Sequence, residues 1–355
     1  MILKYFDRKS EILEKMRASR NVYIYGAGEF AKDIEQYLLK NDIFVRNFVV
    51  DDEFYRDNMK ESDKICSMSS YLQESSESGT VFLIWGIVSP TKLKCELRNN
   101  RLEEAWITYE IYNMWEDTRY AHKHREEFEH TRNILKDELS RRTLDGYLAI
   151  FDGVISDDLE NIVDNIYYNE LTMIYREGCF IDCGAYVGDT AIKFNKIINK
   201  NSKIICFEPD PGNYTKLIEN TKDLGVVTAI NAGTWSNNAK LRLDNKGNSA
   251  SCITEDGAFD IEVVSIDQYV KEDRVAFVKM DVEGSELNSL IGMKQVIERD
   301  MPILAISAYH KQEDLITIPQ FISQFESEQE QYDLYLRHHG CAMPELVLYA
   351  IPRLK

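Results

Sequence analysis

The stretch Phe180-Ile181-Asp182-Cys183-Gly184-Ala185-Tyr186-Val187-Gly188-Asp189-Thr190 decides the fold. An apolar run ends on an acid and opens through two glycines into a helix-forming segment, the order of a parallel strand, a tight turn and a helix with unpaired N-terminal N–H groups. Such a backbone can approach a ligand closely. A second acid, Glu208, closes the next apolar run Ile204-Ile205-Cys206-Phe207, about 20 residues on, where a ribose-binding carboxylate belongs in sheets of this kind.

Working outward toward the C-terminus, strands are predicted over residues 179–183, 203–207, 226–231, 276–281 and 303–307, with helical segments between them. Shorter β-like runs fall at 240–243 and 261–266. Two final strands, 332–337 and 346–351, are joined by a short connection bearing Gly340 and Pro344, which suits an antiparallel hairpin. The pattern is a mostly parallel seven-stranded α/β sheet with a terminal antiparallel hairpin.

With these elements in place, residues 179–351 resemble the FkbM-type S-adenosylmethionine-dependent methyltransferase family. The resemblance is carried by Phe180 to Thr190, Phe207-Glu208-Pro209-Asp210, Ile230-Asn231-Ala232-Gly233, Val264-Ser265-Ile266-Asp267, Phe277-Val278-Lys279-Met280-Asp281-Val282-Glu283-Gly284-Ser285-Glu286 and Tyr309-His310. Several spaced motifs in the right order are far more specific than any one of them. The resemblance implies the class I methyltransferase fold and S-adenosyl-L-methionine as cofactor. It implies that Asp182, Gly184, Ala185, Tyr186, Gly188, Asp189 and Thr190 line the pocket for the methionine part, that Glu208 binds the ribose hydroxyls, and that Asn231, Ala232 and Gly233 border the adenine. It further implies methyl transfer, taken here as O-methylation of a hydroxyl on a sugar, glycan precursor or secondary metabolite.

A hydroxyl acceptor must lose its proton, and Asp281 and Glu283 close strand four on the edge where ligands bind in open α/β sheets. His310 follows strand five on the same edge. We assign His310 as general base, with Asp281 or Glu283 orienting it or the acceptor. Glu286, one helical turn beyond Glu283, either assists or simply opens the helix. Lys279 either neutralises one of these acids or points to an open face. No metal site is assigned, and the run containing His122, His124 and His130 is read as a solvated helix face. His338 and His339 are read as turn residues.

The N-terminal part repeats the strand-turn-helix order in a weaker form. A helix over residues 1–20 precedes Asn21-Val22-Tyr23-Ile24-Tyr25-Gly26-Ala27-Gly28, then a helix, a strand at 44–50 ending on Asp51 and Asp52, a Ser/Glu-rich loop at 74–79 and a buried strand at 81–86. This gives three parts: a small Rossmann-like domain over 1–115, a helical connector over 116–176 and the methyltransferase-like domain over 177–355. The first domain either binds a sugar nucleotide or related ligand, or serves packing and homo-oligomerisation. An NAD(P)-dependent oxidoreductase using the first glycine turn, and a non-catalytic nucleotide-binding scaffold, are the alternatives for the whole chain.

The 355 residues exceed what one core usually serves. A net charge of -18, spread along the chain, argues against nucleic-acid or anionic-membrane partners. The partner expected is a small-molecule or glycan acceptor. No apolar run is long enough to span a bilayer, and the N-terminus lacks a signal-type segment, so the expected compartment is the cytoplasm. The cysteines form no Cys-x-x-Cys pair and are read as reduced and buried.

Overall fold

The computed structural model describes residues 6–19, 21–56, 64–77, 81–85, 102–105, 120–150, 163, 165–174, 176–197, 202–244, 252–253, 259–339 and 345–354. The chain divides into two compact units, one of residues 1–126, 142–162 and 338–344, the other of 127–141, 163–337 and 345–355. The first-domain boundary near residue 115, Gly86 and the Gly340 to Pro344 connection lie outside the described residues. Residues read as a connector are shared between the units. Within the second unit Lys136 N–H donates to the Leu334 carbonyl at 2.8 Å, and the Arg337 guanidinium grips the Asp137 carboxylate at 2.6 and 3.1 Å.

In the first unit a parallel sheet has the order β3-β2-β1-β4-β5, built from Val22–Tyr25 (β1), Val45–Val50 (β2), Ile65–Ser67 (β3), Val81–Trp85 (β4) and Leu102–Ala105 (β5). β1 is buried along its whole length, and Gly26, at φ +110°, turns the chain into the helix Glu29–Lys40. That helix buries Ala31, Ile34 and Leu38, the helical stripe that the sequence spacing requires. The loop expected at 74–79 is corrected in part: Met68–Glu77 is a helix. Ser75, Ser76 and Ser78 had suggested a turn, but Met68 and Tyr71 of this helix are buried, Tyr71 packing edge-on against Tyr23 of β1, and override that propensity.

The second unit holds a seven-stranded sheet, β15-β16-β14-β13-β6-β7-β8. Its strands are Cys179–Cys183 (β6), Ile204–Phe207 (β7), Val227–Ile230 (β8), Val275–Met280 (β13), Ile303–Ser307 (β14), Glu330–His338 (β15) and Leu346–Leu354 (β16). Pairings from β8 through β14 are parallel, and β16 runs antiparallel to β14. β6, β7, β13 and β14 read as near-continuous apolar runs because both faces are covered. On one face Phe180, Phe194, Phe277 and Tyr168 pack ring against ring with centroids 3.9 to 6.0 Å apart. His338 is corrected from turn to strand: it is the last residue of β15 and is buried. A four-stranded sheet, β11-β10-β12-β9, comprises Gly233–Thr234 (β9), Ala239–Asp244 (β10), Cys252–Ile253 (β11) and Phe259–Val264 (β12). Among the described residues no helix is long and apolar enough to cross a membrane.

Candidate active site

The C-terminal ends of β6, β7 and β13 converge on one cavity of about 280 Å³. That is the edge at which open α/β sheets bind ligands. Gly184, Tyr186, Asp189, Thr190, Glu208 and Gly233 line one part of it, and Asp281, Glu283, Ser285, Tyr309 and Glu345 line another. Six of the eleven residues expected to bind cofactor therefore stand in its wall. Asp182, Ala185, Gly188, Asn231 and Ala232 are not among its lining residues.

The turn after β6 has little freedom. Gly184 sits at φ +75°, and a Cβ there would lie 1.9 Å from the Asp281 carbonyl oxygen, so only glycine lets β6 and β13 close at this point. Glu208, at the tip of β7, is buried and braces the turn from the other side. One of its oxygens accepts the Tyr186 N–H at 2.8 Å and the other accepts the Asp210 N–H at 3.0 Å. Burial nonetheless pushes its carboxyl up to about 7. Each oxygen keeps a lone pair for a further donor. Asn231 serves this corner indirectly, its amide donating to the Glu208 and Pro209 carbonyls at 2.9 and 3.1 Å.

Asp182 is fully buried and opposes Lys279 in the β6–β13 register. The ammonium lies 3.1 Å from the carboxylate and donates to the Gly184 carbonyl at 2.6 Å. Burial alone would drive Lys279 down, but the Asp182 and Asp281 carboxylates outweigh it and hold the amine above its ordinary value. Lys279 thus neutralises an acid, and Asp182 supports the turn through it.

The acids beyond β13 gather round His310. Its Nδ1 is 2.8 Å from Glu286 Oε1, and its Nε2 is 3.5 Å from both Asp281 Oδ1 and Glu283 Oε2. Glu286 is fully buried and also accepts the Val282 N–H at 3.0 Å. Burial would lower the imidazole, but Glu286, then Asp281 and Glu283, raise it to about 10. Burial pushes the Glu283 carboxyl up to about 7. Asp281 stays below its ordinary value despite burial, because Lys279 and His310 flank it, and Tyr167 Oη donates to it at 2.9 Å. Of the three acids, Glu286 makes the closest contact with the ring, at 2.8 Å against 3.5 Å for Asp281 and Glu283.

Sequence reasoning missed Tyr167, which lies in a segment with no glycine or acid motif to mark it. It undervalued Glu286, whose place at a helix N-terminus is equally that of a dipole-matching charge. In the first unit, Asp51, the acid that a dinucleotide site would turn to ribose, accepts a hydrogen bond from Tyr25 Oη at 2.8 Å.

Residues 182–340 match the family model described as Methyltransferase FkbM domain. Hexuronic acid methyltransferase AglP of Haloferax volcanii is 27% identical over 124 residues, which are 33% of this chain and 50% of that protein. The match therefore spans about half the length of that relative. Among solved structures, methyltransferase FkbM from Methylobacillus flagellatus KT aligns over 98% of both chains with a TM-score of 0.68 and 19% identity, a likeness of fold.

Proposed function

We propose that this chain, whose residues 182–340 match the methyltransferase FkbM domain model, uses S-adenosyl-L-methionine to methylate a hydroxyl of a sugar or glycan precursor. The observation that carries the proposal is the pairing, in one cavity, of the Glu208 corner with Asp281 and Glu283, each of which lies 3.5 Å from His310. The two lie on β7 and β13, with β6 between them. Two strand spacings are about 10 Å, enough to separate a ribose-binding end from a reacting end.

The residues fit the cofactor. Glu208 keeps acceptor capacity on both oxygens, and the Gly184 turn leaves backbone where a Cβ could not stand. Glu208 would hold the ribose hydroxyls, Gly184, Asp189 and Thr190 the amino-acid part, and Gly233 and Asn231 the adenine edge. When bound, the cofactor supplies a methyl group on a sulfonium. The chain's own contribution is to hold the acceptor oxygen in line and to take up its proton. Asp281, Glu283, Ser285 and Glu345 offer oxygens to a polyhydroxylated acceptor. The acidic wall favours hydroxyl donors over an anionic acceptor; the name of the Haloferax volcanii relative supports a sugar acceptor but names an acidic one, a hexuronic acid.

Calorimetry with S-adenosylhomocysteine on the whole chain tests this. Binding is expected, and Glu208→Ala should weaken it about 10- to 100-fold, the worth of hydrogen bonds to a charged group. Absence of binding to the unaltered chain would refute the proposal. Transfer of a labelled methyl group to a panel of neutral sugars and hexuronic acids then tests the acceptor class, the neutral sugars being expected to be the better acceptors.

A further inference from the structure

We infer that Asp281, Glu283 and His310 form a binding site for one divalent metal ion, open toward the cavity. Its use in holding the acceptor hydroxyl rests on the methyltransferase function proposed above; ion binding itself does not.

The three donor atoms lie within 4.8 Å of one another. His310 Nε2 is 3.5 Å from an oxygen of each acid, too long for a good hydrogen bond. Ligands at right angles around an ion with bonds of about 2.1–2.4 Å stand about 3.0–3.4 Å apart, so a small closure would bring these atoms onto one ion. The decisive feature is independent of the acids. The His310 side chain is only 7% exposed, and its Nε2 is sealed from solvent with no hydrogen-bond partner; Asp281 Oδ1 is in the same condition. A buried polar atom left unpaired is costly, and here two of them face each other.

The other side of the imidazole is arranged as metal-binding histidines usually are. Glu286 Oε1 accepts from both Val282 N–H and His310 Nδ1, which holds a ring proton on Nδ1 and aims Nε2 at Asp281 and Glu283, so that an ion bound there would displace the Nε2 proton and take up its lone pair. The backbone is bent to the same end. Glu283 is at φ +52° and Gly284 at φ +90°, and this doubled-back loop turns the Glu283 carboxylate toward His310. Left-handed backbone at a glutamate costs about 1 kcal/mol or more and clusters at ligand clamps. Lys279, a buried cation on the preceding strand, is engaged with Asp182 and the Gly184 carbonyl.

Two carboxylates and one imidazole suit a hard to borderline ion, Mn²⁺ or Mg²⁺. Three protein ligands leave coordination positions free, and Asp281 and Glu283 both line the cavity, so those positions open where an acceptor would lie. An ion there would hold the acceptor oxygen and lower the hydroxyl's pKa, and His310, as its ligand, would then give up the general-base role, the proton passing to solvent.

The test is Mn²⁺ titration of the metal-stripped whole chain, read by electron paramagnetic resonance, beside Glu283→Gln and His310→Gln. We expect one tight Mn²⁺ per chain, ¹⁴N modulation from the coordinated imidazole, and affinity reduced about 10- to 100-fold in either variant, with the modulation gone in His310→Gln. Binding to the unaltered chain that is no tighter than to Glu283→Gln, or that lacks ¹⁴N modulation, overturns the inference. S-adenosylhomocysteine binding is measured on every sample as the fold control. If His310→Gln loses it, Glu283→Gln, whose side chain is partly exposed, carries the comparison. If the unaltered chain binds Mn²⁺ as expected but not S-adenosylhomocysteine, the metal site stands and the cofactor assignment fails.

Discussion

Replacing Lys279 with methionine removes the ammonium that faces Asp182 across the β6–β13 register and leaves a side chain of similar length. Both partners are almost fully buried, at 4% and 0% side-chain exposure, so neither charge can turn to water when the other is gone. Breaking a buried pair in this way costs about 3–5 kcal/mol. The lost donation to the Gly184 carbonyl, at 2.6 Å, places the cost toward the upper end. The sign with pH follows from Asp182. Burial already raises its carboxyl above the ordinary value, and without the ammonium the rise is larger. An acid raised in the folded state destabilises progressively as pH climbs above its unfolded value of about 3.9. The deficit of Lys279→Met against the unaltered chain should therefore be small near pH 4 and widen toward neutrality, by at most about 1.4 kcal/mol per pH unit. Urea denaturation followed by far-UV circular dichroism at pH 5 and pH 7.5 measures both numbers. The double variant Asp182→Asn/Lys279→Met should recover at least about 2 kcal/mol at pH 7.5, because the stranded charge is gone. A single-variant deficit under about 1 kcal/mol at pH 7.5, or one that does not change with pH, would refute the account of the pair.

Two further outcomes follow from the same corner of the molecule. Gly184→Ala places a methyl group 1.9 Å from the Asp281 carbonyl oxygen at a positive φ, so the chain should lose about 2 kcal/mol or more and its S-adenosylhomocysteine binding together; thermal unfolding with and without the ligand checks both. Glu208 must be ionised to accept ribose hydroxyls while keeping its two backbone donors, and it titrates at about 7. S-adenosylhomocysteine affinity should thus fall toward tenfold per pH unit below that value, and a calorimetric profile flat from pH 8 to pH 5.5 would exclude Glu208 from the ribose role.

What could be read from the sequence was whatever depends on neighbours in the chain. The glycine turn at Gly184, the acid closing β7 and the acids closing β13 are each defined within a few residues, and each lies at the cavity where strand ends converge. What could not be read depends on register between distant segments. Lys279 meets Asp182 only because β13 pairs beside β6, 97 positions away in sequence, and the choice between pairing and an open face had no local signal. Glu286 could not be told from a helix-opening charge until β14 delivered His310 to it. Tyr167 reaches Asp281 from a stretch without any motif, and His338 looked like a turn because its partners in the sheet are remote in sequence.

The residues of β13 tie the two halves of the site together. Lys279 fixes the Gly184 carbonyl and Asp182 on the β6 side, and two residues later the same strand direction delivers Asp281 to His310 on the other. The Asp281 N–H donates to the Cys183 carbonyl at 3.0 Å, and its own carbonyl fills the space where a Gly184 Cβ would stand. The turn that cradles one ligand and the acid that faces the other are therefore opposite ends of a single β6–β13 junction. A substitution that shifts Gly184 must also shift Asp281, whereas one at Glu208, whose carboxylate among the described residues bonds to the Tyr186 and Asp210 N–H groups, need not. Cofactor affinity and Mn²⁺ affinity should accordingly fall together in Gly184→Ala and separate in Glu208→Gln. That contrast distinguishes a shared scaffold from two sites that merely adjoin.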